Sequence, residues 1–234
     1  MAIHRQFKNR VHAGKLLALA LAPYACRPDA LVLALPRGGV PVGFTIARAL
    51  GLALDLLLVR KLGLPGYEEF AMGAIASGGV RVLNMEAIRE HRIGREQIDD
   101  ACAREQREIA RRERQYRGAR AEPELAGRTA ILVDDGLATG STMCAAVRVA
   151  RERGAERIVV AVPVGAPDSC AALASQVDEL VCLSQPANFG AVGRWYRQFE
   201  QTGDEEVLDL LAIAWRDQAR ASHSSTNASE RRQS

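Results

Sequence analysis

Short, unbroken apolar runs are the strongest constraint on how this chain of 234 residues can fold. They lie at 31–35, 130–133, 158–162 and, less purely, 54–59, which contains Asp55, and 179–183. Each is too short for a stable helix and shows no polar face, which is the signature of a strand covered on both sides. Helical periodicity fills the gaps at 40–50, 141–153 and 168–175, and a first helix at 11–21 follows Asn9, a good N-cap. Buried strands alternating with helices predict an α/β fold built on a doubly wound parallel sheet. One excursion breaks the pattern: residues 74–76 and 80–83 flank Ser77-Gly78-Gly79, which reads as a hairpin.

Composition agrees with a buried core and excludes several classes. The chain is 48% hydrophobic and carries 31 basic against 28 acidic residues, so it is not a disordered polyelectrolyte. A net charge of +3 gives no argument for nucleic-acid binding. Five scattered cysteines without a Cys-x-x-Cys pair read as reduced thiols of a cytoplasmic protein. The N-terminus lacks a signal-peptide apolar region, and no run of about 18 apolar residues exists, so no membrane partner is expected. The polar helix over 86–117, broken near Gly94, holds eight acidic and nine basic residues and reads as a solvated, pair-laced face. Residues 1–216 form one domain in this reading, and 217–234, which has no apolar period, a disordered tail.

The chemistry concentrates where the 130–133 strand ends. Asp134-Asp135-Gly136-Leu137-Ala138-Thr139-Gly140-Ser141-Thr142 places two carboxylates at a strand's carboxyl end, then a small-residue turn, then a helix start. Ligands of open parallel sheets bind at that edge. Turn amides and a helix N-terminus attract phosphate, Thr139, Ser141 and Thr142 add hydroxyl donors, and the acids accept from neighbouring hydroxyls. A phosphorylated sugar diol satisfies both halves.

This segment resembles the phosphoribosyl-diphosphate signature of the type I phosphoribosyltransferases. The resemblance implies that Asp134 and Asp135 hold the ribose hydroxyls, and Mg2+ through water, while Ala138, Thr139, Gly140, Ser141 and Thr142 cradle the 5′-phosphate. Gly136 departs from the bulkier apolar residue often found there. Leu35-Pro36-Arg37-Gly38-Gly39-Val40 looks like the family's pyrophosphate loop, which often contains a non-proline cis peptide. Its glycines would let amides approach the diphosphate, and Arg37 adds charge. Arg60-Lys61 is similar to a turn leaving the second strand in adenine-type members. Lys61 is one of only three lysines, with Lys8 and Lys15, in an arginine-dominated chain. Its compact charge suits diphosphate or magnesium-bound oxygens. Residues 67–73 and the hairpin occupy the place of the flexible catalytic loop, where Glu68 or Glu69 would accept a proton. Together with His12-Ala13-Gly14, Glu69-Phe70-Ala71-Met72-Gly73 and Phe189-Gly190-Ala191-Val192-Gly193, these motifs resemble a bacterial subfamily of phosphoribosyltransferase-domain proteins with no agreed acceptor.

Four of eleven aromatics (Phe189, Trp195, Tyr196 and Phe199) lie within eleven residues of chain after the last strand. They mark a small C-terminal hood over about 184–216, with Trp195 and Tyr196 as ring faces for a flat acceptor or, alternatively, as plugs onto the core. The resemblance implies a Mg-dependent transferase with phosphoribosyl diphosphate and a small-molecule acceptor as partners, a nucleobase of purine or pyrimidine salvage by analogy, in a homodimer. A regulator that senses the same ligand while binding nucleic acid or protein is the alternative, although the charge-balanced 86–117 helix speaks against nucleic acid. A diphosphokinase-like subunit would need a second similar domain, and the sequence shows no internal repeat.

Overall fold

The five apolar runs pair side by side as strands of one parallel sheet. The computed structural model describes the backbone of residues 6–64 and 67–230, with side chains apart from those of 64–71 and 221–230. In chain order the elements are α1 (Arg10–Ala20), β1 (Ala30–Ala34), α2 (Gly39–Leu50), β2 (Ala53–Leu56), β3 (Val59–Leu64), β4 (Tyr67–Ala76), β5 (Arg81–Leu83), α3 (Met85–Glu90), α4 (Arg95–Tyr116), β6 (Thr129–Val133), α5 (Ser141–Glu152), β7 (Arg157–Val164), α6 (Pro167–Ala174), β8 (Glu179–Ser184) and α7 (Asp204–Glu230). Strand order in the parallel sheet is β2-β1-β6-β7-β8, and β3-β4-β5 form a separate antiparallel sheet. Register runs straight across the centre, with Leu33 opposite Leu132 and Leu132 opposite Val160.

Both faces of the parallel sheet are covered, which explains the unbroken apolar runs. Val32, Ala34, Ile131, Val133, Val159 and Ala161 share one core with side chains of α1, α2 and α7. Their strand neighbours Leu31, Leu33, Ala130, Leu132, Ile158 and Val160 join the other core with α5 and α6. This is the period-two alternation of a strand, read here as two hydrophobic sets rather than one. Asn9 caps α1 as expected, its side chain accepting from the His12 amide. Among the described residues no helix is long and apolar enough to cross a membrane.

Three expectations change. The 54–59 run is not one strand: β2 stops at Leu56, and Val59 opens β3 in the other sheet. The break lies where the buried Arg117 guanidinium donates to Leu56 O (2.5 Å) and Asp55 Oδ1 (2.8 Å), occupying the strand's last acceptors. Residues 67–73, expected as a loop, belong to β4. From Asp217 to Glu230 the chain continues α7 instead of starting a tail, and 231–234 lie outside the described residues. No glycine or proline interrupts 204–230. Trp215 Nε1 and Gln218 Nε2 both donate to Leu54 O on edge strand β2, at 3.2 and 3.1 Å. These contacts cover an edge that would otherwise present free carbonyls. The hood is correspondingly smaller, since 204–216 lies on α7 and packs on α2 and β2.

Candidate active site

β1, β2 and β6 deliver their carboxyl ends to one edge of the sheet, and the loops that leave them meet there. After β1 the Leu35 amide donates to Val133 O (2.9 Å), the Pro36–Arg37 peptide is cis, and α2 begins at Gly39. A Cβ on Gly38 would stand 2.0 Å from Asp135 Oδ2, and one on Gly39 would stand 2.5 Å from Val133 O. These glycines therefore let the loop lie directly against the acidic pair. Sequence reasoning assigned them only to ligand approach; their packing role depends on a contact across nearly a hundred residues.

The acidic pair is held from three sides. Asp134 Oδ1 accepts from the Asp135 amide at 2.8 Å. Asp135 Oδ2 receives both Nε (2.9 Å) and Nη2 (2.8 Å) of Arg10, and the Asp135 carbonyl accepts from the Tyr196 hydroxyl (2.6 Å). Burial, followed by the neighbouring charge of Asp135, pushes the Asp134 carboxyl well above the usual carboxylate range. Burial also raises Asp135, against the opposing pull of Arg10. The Tyr196 hydroxyl is likewise pushed upward, first by burial and then by Asp135. Arg10 escaped the motif reading. Its one signal is a cation in the first turn of a helix, where the helix dipole disfavours it.

Beyond the acids, the turn is pinned to the next strand. The Leu137 amide donates to Val164 O and Leu137 O accepts from the Ala166 amide (both 2.8 Å), while Ser169 Oγ donates to Ala138 O at 2.6 Å. Gly140 adopts φ +74°, a left-handed conformation suited to glycine, and turns the chain into α5. Gly140 at the N-cap has no side chain to bond the first turn; the Ser141 amide donates weakly to Thr139 Oγ1 (3.5 Å), which lies 3.1 Å from Ser141 Oγ, and Ala138, Thr139 and Thr142 are exposed. Open amides with hydroxyls around them form an anion cradle. Gly136 also acquires a reason: an added Cβ would come within 2.5 Å of Val192 Cγ1 in the hood. The space that a bulkier residue would take at position 136 is filled from above.

A cleft of about 650 Å³ opens beside this turn, lined by Pro36, Arg60, Lys61, Arg104, Arg112 and Thr142 among others. Arg60 and Lys61 thus reach the site from a strand, β3, and not from a turn at the end of β2. Arg60 Nε donates to Glu105 Oε2 at 2.8 Å, tying β3 to α4. The expectation of a wholly solvated 86–117 helix is corrected here: α4 forms a wall of the cleft. Charge balance in the sequence concealed this, because Glu108 and Glu105 partner the arginines on the same helix. Arg37 faces Asp204 at the start of α7 (3.7 Å). Glu68 and Glu69 lie on β4 within 64–71, so their side chains fall outside the described residues.

The hood aromatics divide. Tyr196 is 4% exposed and stacks on Phe199 with ring centroids 4.9 Å apart, so it supports the acidic pair from behind and offers no open face. The N-terminal segment clips this cluster down through Phe7, whose amide donates to Trp195 O (2.8 Å). Trp195 is half-buried, and its indole donates to Phe189 O at 2.9 Å.

A family model described as the phosphoribosyl transferase domain matches residues 15–196, which spans the glycine loop, the acidic pair and the anion cradle. The chain belongs to the phosphoribosyl transferase domain family. Two strains of Mycobacterium tuberculosis carry a putative phosphoribosyl transferase that is 46% identical over 215 residues, covering 92% of this chain and 48% of the relative. The chain therefore spans about half the length of these curated relatives. The crystal structure of TT1426 from Thermus thermophilus superposes with a TM-score of 0.80 at 43% identity, covering 88% of this chain and 97% of that one. The fold is thus shared over almost the whole of that protein.

Proposed function

We propose that this phosphoribosyl transferase domain moves the phosphoribosyl group of phosphoribosyl diphosphate onto a nitrogenous acceptor, releasing diphosphate. The observation that carries the reading is convergence. A glycine loop, an acidic pair and an uncapped helix N-terminus meet at one sheet edge, beside a cleft lined by Arg60, Lys61, Arg104 and Arg112. In this reading Asp134 and Asp135 accept from the ribose hydroxyls, the 138–142 turn holds the 5′-phosphate, and Arg37, Arg60 and Lys61 face the diphosphate. The nitrogen of the acceptor forms the new bond to C1′ as the bond to the diphosphate oxygen breaks. The electron pair leaves with the diphosphate, and the proton lost by nitrogen passes to a carboxylate, for which Glu69 on β4 is the candidate. Charge develops mainly on the sugar and the leaving group, so the protein acts by orientation, electrostatic stabilisation and exclusion of water. With Tyr196 buried, the half-buried Trp195 is the hood ring left in this reading for a flat, nucleobase-like acceptor.

The residues present fit magnesium. Among the described residues no three His, Cys, Asp or Glu side chains converge, so the protein by itself builds no cage for a metal ion. Magnesium is ordinarily held by one or two carboxylates with substrate phosphates and water. Asp134 and Asp135 supply that pair; burial and then the Asp135 charge raise the Asp134 carboxyl, and a bound cation would offset the repulsion between the two acids. When bound, magnesium supplies charge neutralisation to the leaving diphosphate. The same reading places the protein in the cytoplasm as a homodimer, which light scattering tests. The activity itself is tested by following diphosphate release with phosphoribosyl diphosphate, magnesium and a panel of purines and pyrimidines. Release with one base supports the proposal. Silence across the panel, with the ligand still bound, transfers the site to a sensor of the same compound.

A further inference from the structure

Arg10 is built into its position more firmly than a surface helix start requires. It opens α1, a helix with no acidic residue in its first turn, so a cation there works against the dipole. Its guanidinium is nevertheless fully engaged. Nε and Nη2 converge on Asp135 Oδ2 at 2.9 and 2.8 Å, Nη1 donates to Glu200 O at 2.7 Å, and the Phe199 ring lies 4.0 Å beneath the guanidinium carbon. Only 12% of the side chain is exposed, against 15% for Asp135. Three separate parts of the chain meet on this one group: α1, the acidic pair and the hood.

The consequence for Asp135 is specific. Gly38 closes on Oδ2 from the loop side, Arg10 occupies the same oxygen from the α1 side, and Tyr196 fixes the backbone carbonyl of the same residue. The carboxylate cannot rotate without breaking two charge-assisted bonds, so Oδ1 is the oxygen left for a ligand. A planar fork stacked on a ring is a role lysine does not fill. We infer that Arg10 is a positioning residue that orients the Asp135 carboxylate toward the sugar hydroxyls of the ligand and locks the hood's Phe199–Glu200 segment onto the acidic pair. This rests on the phosphoribosyl diphosphate reading of the site, and the test separates the two.

Binding of phosphoribosyl diphosphate with magnesium, and of inorganic diphosphate without it, is measured by calorimetry for wild type, Arg10→Gln and Arg10→Lys. Melting of the unliganded proteins checks folding. The inference expects Arg10→Gln to lose roughly tenfold or more in affinity for phosphoribosyl diphosphate, the scale of a lost charge-assisted contact. Affinity for diphosphate, which has no sugar hydroxyl for Asp135, stays within about twofold. Arg10→Lys restores the charge but not the fork, and recovers only part of the loss. Equal losses for both ligands, or none for either, overturn the role of Arg10 while leaving the site reading intact. Wild-type protein that fails to bind phosphoribosyl diphosphate overturns the site reading itself. If Arg10→Gln does not fold, Phe199→Leu, which removes the ring and spares the ion pair, is expected to show the same sugar-selective loss in smaller measure; unselective or absent loss there overturns the inference.

Discussion

Closure of the hood over the substrate turn rests on a contact that a double-mutant cycle can isolate. Gly136 has no Cβ, and Val192 fills the space: an added Cβ would stand 2.5 and 2.7 Å from the two Val192 γ-carbons and 3.2 Å from its Cβ. Valine is stiff at χ1, so relief requires backbone movement in the hood rather than a rotamer change. Gly136→Ala is therefore expected to cost about 1–3 kcal/mol, the range for an overpacked site. Val192→Ala removes two methyls from a half-buried side chain and is expected to cost about 1 kcal/mol. In the double variant the cavity left by one change receives the methyl of the other. It should be more stable than the sum of the single changes by about 1–2 kcal/mol. Urea unfolding followed by tryptophan fluorescence reads this directly, and for a domain of this size each kcal/mol moves Tm by about 2–4 °C. A Gly136→Ala protein as stable as wild type, or additive single changes, would refute the close packing of Val192 on the turn.

Three further predictions rest on the same geometry. Asp134 has a raised pKa, so the folded protein holds that proton to higher pH than the unfolded chain does. Stability from this group is then present near pH 4 and declines as pH climbs through the raised value. Asp134→Asn keeps the acceptor for the Asp135 amide and should gain stability relative to wild type as pH rises above about 4, the unfolded carboxylate range; urea midpoints that diverge in the opposite sense contradict the raised pKa. Arg117→Ala strands the buried Asp55 at the end of β2 and should cost about 3–5 kcal/mol in chemical unfolding, whereas a cost under about 1 kcal/mol would show that the pair is not buried. Tyr196→Phe removes the hydroxyl donated to Asp135 O and should cost about 1 kcal/mol, with weaker binding of the sugar ligand; unchanged melting and binding would show the hydroxyl is idle.

What the sequence disclosed and what it concealed divide along physical lines. The parallel sheet was legible because its central strands are buried on both faces and so have no polar interruption, as in 31–35 and 158–162. The acidic pair, the glycine loop and the phosphate turn were legible because each is contiguous, with its chemistry set by neighbours in the chain. The start of β3 was concealed because Leu54–Val59 is apolar apart from Asp55, while the strand breaks where Arg117, about sixty residues later, donates to Asp55 and to Leu56 O. The wall formed by α4 was concealed because internal pairing balances its charges. Arg10 was invisible as a motif, since its meaning comes from Asp135, Phe199 and Glu200, all distant in sequence. Burial of Tyr196 depends likewise on Phe7 folding back from the N-terminus. The helix past Asp217 was concealed because a segment without an apolar period resembles a disordered one, although no helix breaker is present.

Calorimetric binding of phosphoribosyl diphosphate with magnesium to wild type and to the Asp134→Asn, Asp135→Asn double variant tests the central claim most directly. The account predicts saturable binding by wild type and its loss in the double variant, whose folding is checked by melting because Asp135→Asn removes the charge partner of Arg10. Wild-type affinity retained by the double variant would contradict it.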